Sequence, residues 1–285
     1  MTVCVTEFTD PGCPWAFSAE PHRLRLEWLY GDQGLTWRRR MVVLARTPEE
    51  YDEKGFTPAK QSEAFAQIAA EHGMPIDLSE RPRMAATLPA CRAVVGARRH
   101  APDREAPLLR RLRLRHFAGE LLDEPSTIAA AARDVGLDPE RVRAWMDEPA
   151  VQAEVDEDAA AARRPMPAAR ALDHKLANWS GGRRYTCPSY EITRPVDREV
   201  TIAVPGFQPF AVYDVVMANL RPDLERRDDP GSVEEVLRWA GEPLATQEVA
   251  AVARITRDEA ASELARIAEA QPLGTDALWR LRASS

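Results

Sequence analysis

The sequence predicts an α/β fold in which a small sheet is split by a long helical insertion and followed by a short C-terminal module. Three observations lead there. A β-branched segment at 3–8 runs into a Cys-Pro turn that starts a helix. From Thr57 to Arg164 the apolar spacing is almost wholly helical, and strand-like segments return only at 185–192 and 200–204. Beyond the charged stretch 223–231, three short helical patterns and a Gly-centred hairpin close the chain.

Taken in order, Val3-Cys4-Val5-Thr6-Glu7-Phe8 reads as a strand because β-branched and aromatic residues suit a pleated surface. The turn that follows is Asp10-Pro11-Gly12-Cys13-Pro14-Trp15-Ala16-Phe17. Pro14 suits the first helical position, since its φ is already helical and its missing N–H would have no intrahelical partner. Cys13 is then the N-cap of a helix that continues from Ser18 to Tyr30 through Leu24 and Trp28. Free N–H groups and the positive dipole end stabilise a thiolate there, lowering a cysteine pKa from about 8.5 into the range of about 3.5–7.5. Cys13 is thus the candidate nucleophile, against the plainer reading of a buried strand-end cysteine.

A turn at 31–34 and a strand at 35–44 imply a βαβ crossover and a parallel neighbour. The run Arg38, Arg39, Arg40 could take phosphate, but a solvated strand edge is the expected reading. The insertion divides at Gly and Pro breaks into helices 58–72, 85–99, 106–122, 128–135, 140–146 and 151–163. Within it Leu108, Leu109, Leu112 and Phe117 form an apolar stripe, with Arg110, Arg111, Arg113 and Arg115 as the expected solvent face. Cys91 is expected in the core. A short helix is expected at 168–179, a strand at 185–192 around Pro188, a strand at 200–204 and a helix at 210–220. The tail reads as helices 232–240, 246–253 and 257–270 with a hairpin at 272–281.

Strand, Cys-Pro-Trp-x and helix together resemble the active-site turn of thioredoxin-fold proteins. The form Asp10-Pro11-Gly12-Cys13-Pro14-Trp15-Ala16-Phe17-Ser18 is most similar to the DsbA family, particularly its FrnE-like cytoplasmic branch. The resemblance runs over residues 2–221 of the 285 and implies a thioredoxin-like domain from 1–56 and 165–222, with 57–164 as a helical insertion over the thiol. It also implies a cis-Pro188 opposite Cys13, with the Cys187-Pro188 backbone binding substrate. The family usually carries a second cysteine three residues after the first. Here that position is Ala16, so the Pro14-Trp15-Ala16 turn cannot close its own disulfide. Under the family geometry Cys187 points toward Cys13, where it could serve as a resolving thiol, a soft metal ligand or a small apolar residue. Residues 229–285 resemble a winged-helix module. Its third helix carries Arg257, Asp258, Glu259, Glu263, Arg266 and Glu269, more acid than base, so packing or dimerisation is expected over nucleic-acid binding.

The net charge of −7 argues against a general nucleic-acid or anionic-membrane binder. No apolar run approaches the ~20 residues that span a bilayer, and the chain enters a strand at once with no signal segment, so a cytoplasmic protein is expected. The four cysteines, Cys4, Cys13, Cys91 and Cys187, are too scattered for a disulfide framework or zinc site, and no metal is expected. The leading reading is a thiol-disulfide oxidoreductase acting through the Cys13 thiolate, resolved by an external thiol or by Cys187. It needs no tightly bound cofactor, only a thiol or disulfide substrate and a low-molecular-weight thiol such as glutathione or mycothiol as co-substrate; a homodimer is among the expected assemblies. Two alternatives stand beside it: a glutathione-dependent isomerase resembling 2-hydroxychromene-2-carboxylate isomerase, and a non-catalytic redox-responsive binding protein. Glu7, Asp10, Trp15, Tyr185 and Tyr190 are candidates to line the site, or else caps, core or surface.

Overall fold

A computed structural model gives the arrangement of residues 2–194 and 200–282, apart from the side chains of residues 32 and 33. Strand β1 (Val3–Thr9) ends at the Cys-Pro turn, and α1 (Pro14–Ser18) starts at Pro14. Helix α2 (Glu20–Gly34) returns the chain to β2 (Leu35–Met41), which lies parallel to β1 with Val3 opposite Leu35 and Thr9 opposite Met41. The crossover expected from the turn at 31–34 is therefore present. The helix expected from Ser18 is two helices, because the chain bends at Ala19.

Before the insertion comes a short helix not expected from the sequence, α3 (Glu49–Glu53), and within the insertion lie α4 (Pro58–His72), α5 (Leu88–His100), α6 (Glu105–Phe117), α7 (Pro125–Asp134), α8 (Pro139–Met146) and α9 (Pro149–Ala162). Thr57 and Asp138 cap α4 and α8 through their side chains, accepting from Lys60 N and Glu140 N. Their core of Cys91, Val94, Leu108, Leu112, Ile128 and Val155 is packed against Met41 of β2. Helix α6 stops at Phe117 rather than Leu122, where Gly119 takes φ 110°.

After α10 (Pro167–Arg170) come β3 (Leu176–Trp179) and β4 (Gly182–Tyr185), an antiparallel hairpin turned at Ser180-Gly181. The helix expected over 168–179 is thus reduced to α10 and a 3-10 turn at Asp173–Lys175; the backbone of 176–179 pairs with 182–185 instead. β5 (Ser189–Arg194) runs antiparallel to both β1 and β6 (Val200–Val204), and α11 (Phe210–Leu220) follows. The central sheet has the order β2-β1-β5-β6.

The C-terminal part holds α12 (Val233–Ala240), β7 (Leu244–Ala245), α13 (Thr246–Ala253), α14 (Arg257–Ile267), β8 (Ala268–Leu273) and β9 (Asp276–Leu281), with sheet order β7-β9-β8. Val236, Leu237 and Val249 share one core with Leu24, Trp28 and Leu29 of α2. The charged stretch 223–231 is fastened to the same helix: Arg227 N donates to Leu29 O (2.8 Å), Trp28 Nε1 to Asp228 O (2.8 Å), and the Arg25 guanidinium to Asp229.

The two arginine runs are solvated only in part: Arg38 is exposed and Arg111 and Arg115 partly so, but Arg39, Arg110 and Arg113 are buried. β2 is a sheet edge, yet Arg39 is buried between Glu7 and Glu105, and Arg40 donates to the buried Asp158 (2.6 Å). On α6, Arg110 makes a two-pronged contact with Glu248 of α13 (2.6 and 2.9 Å), and Arg113 reaches Glu20 and Thr9. Carboxylates from other elements meet the face that periodicity assigned to water.

Candidate active site

Cys13 caps α1 at the end of β1, with φ −86° and ψ 116°, and is 5% exposed. Its Sγ lies 3.3 Å from the carbonyl oxygen of Cys187, whose peptide bond to Pro188 is cis. Thr186 Oγ1 donates to Lys175 O (2.9 Å), while Ser189 Oγ donates to Thr186 O (2.8 Å) and accepts from Gly206 N (3.0 Å), which fixes the loop opposite the thiol. The sulfurs of Cys13 and Cys187 are both free thiols within one buried cluster with Phe8, Ala16 and Tyr185.

Their acidities diverge. Burial pushes the Cys13 thiol up, and the nearby Asp10 carboxylate does the same. Hydrogen bonds from the Cys187 side chain and from the Ala16 and Trp15 backbones prevail and hold it below the ordinary value. Burial pushes Cys187 well above the ordinary value, and the hydrogen bond to Cys13 and the Cys13 charge add to the rise. Of the two buried thiols, Cys13 is therefore the more acidic and Cys187 the less.

Asp10 is fully buried under the turn. Its Oδ1 accepts from Gly12 N (2.8 Å), and its Oδ2 from Leu44 N (2.9 Å) and Thr87 Oγ1 (2.9 Å), with Cys91 Sγ at 3.6 Å. Burial raises its pKa despite those hydrogen bonds. Cys91 is in the core as expected, but there it touches the carboxyl that braces the Cys-Pro turn.

Of the other candidates, Trp15 is 38% exposed beside the thiol, and Tyr185 is buried against Phe8, its hydroxyl donating to Glu191 (2.8 Å). Glu7 is held by Arg39 and Arg113, and Tyr190 packs on Tyr213; both are core residues outside the site. Sequence reasoning missed Thr87 and Tyr51. Tyr51 stands on α3 and lines, with Cys13, Trp15, Phe56 and Arg163, a cavity of about 870 Å³. Burial and the charges of Asp10 and Cys13 keep its phenol protonated. Pro48 before two acidic residues was the available signal for that helix. Among the described residues no group of three or more His, Cys, Asp or Glu is gathered to hold a metal ion.

A sheet with β1 parallel to β2, a cysteine at the N-cap of the following helix and a proline loop facing its sulfur define a thioredoxin-like protein of the DsbA type. The DSBA-like thioredoxin domain family matches residues 4–166, and the chain belongs to that family. Among solved structures, the cytosolic disulfide reductase DsbM from Pseudomonas aeruginosa is 18% identical with a TM-score of 0.52, covering 78% of this chain and 98% of its own. A "probable DsbA oxidoreductase" from Streptomyces coelicolor is 19% identical with a TM-score of 0.54, covering 81% and 93%. These likenesses establish the fold. No curated protein matches the sequence. Among the described residues no helix is long and apolar enough to cross a membrane.

Proposed function

We propose that the protein is a thiol-disulfide oxidoreductase that works through the single thiolate of Cys13. The thiolate attacks a substrate disulfide, forming a Cys13–substrate disulfide and releasing the other half as a thiolate. A low-molecular-weight thiol, such as glutathione or mycothiol, then attacks the substrate sulfur, forming a new disulfide and returning the electron pair to Cys13. The Cys187 carbonyl and Pro188 face the incoming sulfur, and the protonated Cys187 thiol donates to the Cys13 thiolate.

One observation carries this reading: the Cys13 sulfur sits 3.3 Å from the Cys187 carbonyl, in a pair where burial raises both thiols and hydrogen bonds bring Cys13 alone below its ordinary value. A protonated Cys187 is a poor resolving nucleophile, because thiolates and not thiols attack disulfides. A reducing cytoplasm, where small thiols abound, is the setting that such a cycle requires. Residues 229–285 are read as a winged-helix-like packing module.

The test is iodoacetamide alkylation against pH for the wild type and for Cys13→Ser and Cys187→Ala, with intact mass recorded after a limiting dose of small disulfide. Cys13 should titrate below an ordinary thiol, Cys187→Ala should raise that midpoint, and the mass should show one small-thiol adduct on Cys13. A dominant Cys13–Cys187 disulfide would replace the single-thiol cycle with a dithiol one. An unreactive Cys13 would refute thiol catalysis altogether.

A further inference from the structure

We propose that the C-terminal module completes a second chamber beside the thiol pair, and that this chamber binds the carboxylate-bearing portion of a small thiol or disulfide. The inference rests on the thiol-exchange reading for its relevance, but not for its test. The chamber has a volume of about 830 Å³ and is lined by Trp15 and Cys187 on one side and by Gln247 of α13 and Arg257 of α14 on the other. Cys187 and the module therefore face one space, while Cys13 lines the neighbouring cavity and Trp15 borders both.

Three polar atoms among its lining residues have no hydrogen-bond partner: Ser18 Oγ, His22 Nδ1 and His72 Nε2. Ser18 is 2% exposed, and the ion contact of His72 with Glu71, at 3.7 Å, is too long for a hydrogen bond. Buried polar groups are normally satisfied, so these three leave spare hydrogen-bonding capacity behind the chamber's surface. Burial and the neighbouring His72 push His22 down to about 4, and burial also lowers His72. Both imidazoles are neutral near pH 7 and offer hydrogen bonds rather than charge.

The charge comes from Lys175 and Arg257, opposed within the lining by Glu71 alone. Lys175 Nζ makes a long hydrogen bond to Phe207 O (3.4 Å), and Arg257 meets Asp276 through one nitrogen (3.2 Å), so both keep donors for an anion. Aromatic rings make up another part of the wall: His72 packs tilted on Phe207 (4.5 Å between ring centroids) and edge-on with Trp15 (5.1 Å). Two cations, neutral polar rings and a thiol at one end match an acidic small thiol better than a neutral one.

The module's wall is fixed by its own hairpin. Thr275 N donates to Ile76 O (3.1 Å), and Gly274, at φ 49°, lies so close that a Cβ would come within 2.1 Å of the Ile76 carbonyl carbon. Gln247 and Arg257 are thereby held against Gly73, at the C-terminal end of α4.

The experiment uses S-methylglutathione, a thioether that cannot exchange, and its dimethyl ester, titrated by calorimetry into the full chain and into Arg257→Gln and Lys175→Gln. The wild type should bind the acid about tenfold more tightly than the ester, and each variant should lose roughly threefold to tenfold for the acid alone. Equal binding of acid and ester, no binding of either, or variants that bind the acid as the wild type does would overturn the proposal. The probe never reacts with Cys13. A failed chamber beside a reactive Cys13 leaves the proposed function standing, and an unreactive Cys13 beside an intact acid preference leaves the chamber.

Discussion

Glu20→Gln is expected to weaken the fold by an amount that depends on pH in a defined way. Glu20 opens α2, is 3% exposed, and accepts from Arg23 (2.8 Å from Nε) and from Arg113, with Arg110 at 4.0 Å. Burial alone would raise its pKa. The charges of Arg23, Arg113 and Arg110 reverse this and bring it to about 2, against an ordinary 4.5. Because the folded value lies below the unfolded one, the stabilisation is complete above the unfolded pKa and is lost as pH falls through the folded pKa. A drop of that size corresponds to about 3 kcal/mol at pH 7 and about 1.4 kcal/mol at pH 3, using ~1.36 kcal/mol per pKa unit. Urea denaturation followed by circular dichroism gives both values by linear extrapolation. The gap between wild type and Glu20→Gln should shrink by about half or more between pH 7 and pH 3. A gap that stays constant across that range would show that the loss is one of packing and not of charge, and would refute the reasoning.

Asp10→Asn removes the buried carboxylate that opposes Cys13 ionisation, so the Cys13 alkylation midpoint should fall. A midpoint that rises would mean that the turn itself, not the charge, had been changed. Lowering the pH from 6.5 to 4 should cost about 3 kcal/mol for each of two histidines, His22 and His116, both held near 4 in the fold by burial first and by His72 and Arg81 second. The unfolded chain takes up these protons first, so stability is full above the ordinary histidine pKa and falls as pH falls. Denaturation midpoints of wild type and His116→Gln across this range check it, the variant giving the flatter curve. Gly274→Ala should lower stability by about 1–3 kcal/mol, since its Cβ would strike the Ile76 backbone at a left-handed φ; an unchanged melting temperature would count against the docking of the hairpin.

What could be read from the sequence was local. Pro14 marks the start of α1 because one residue type fixes φ and removes a donor, and the capped insertion helices announce themselves through Thr57 and Asp138. What could not be read depends on partners far along the chain. Asp10 and Thr87 meet across 77 positions, and no spacing relates them. Arg110 and Arg113 look like a solvent face by period alone, and only the fold brings Glu20, Glu7 and Glu248 to them. The β3–β4 hairpin escaped because Leu176-Ala177-Asn178-Trp179 lacks strand alternation; its register comes from pairing with Gly182–Tyr185, not from burial.

The substitution at Ala16 changes more than the number of sulfurs. In a Cys-x-x-Cys turn the second thiol lies along the same helix as the first and shares its dipole; here Ala16 is a methyl group buried at 2% exposure, and the second thiol belongs to the facing loop. Cys187 therefore acts on Cys13 through both its carbonyl and its thiol, without sharing the helix N-terminus. When Cys13 becomes part of a mixed disulfide its charge disappears, and with it that charge's share of the Cys187 shift. Burial, the largest cause, persists, as does the Asp10 charge. In the proposed cycle Cys187 is thus kept a weak acid in the one state where a resolving thiolate would be needed. Release in that cycle then falls to a thiol that ionises in solvent before it enters, and its carboxylates are what the proposed chamber would select through Lys175 and Arg257.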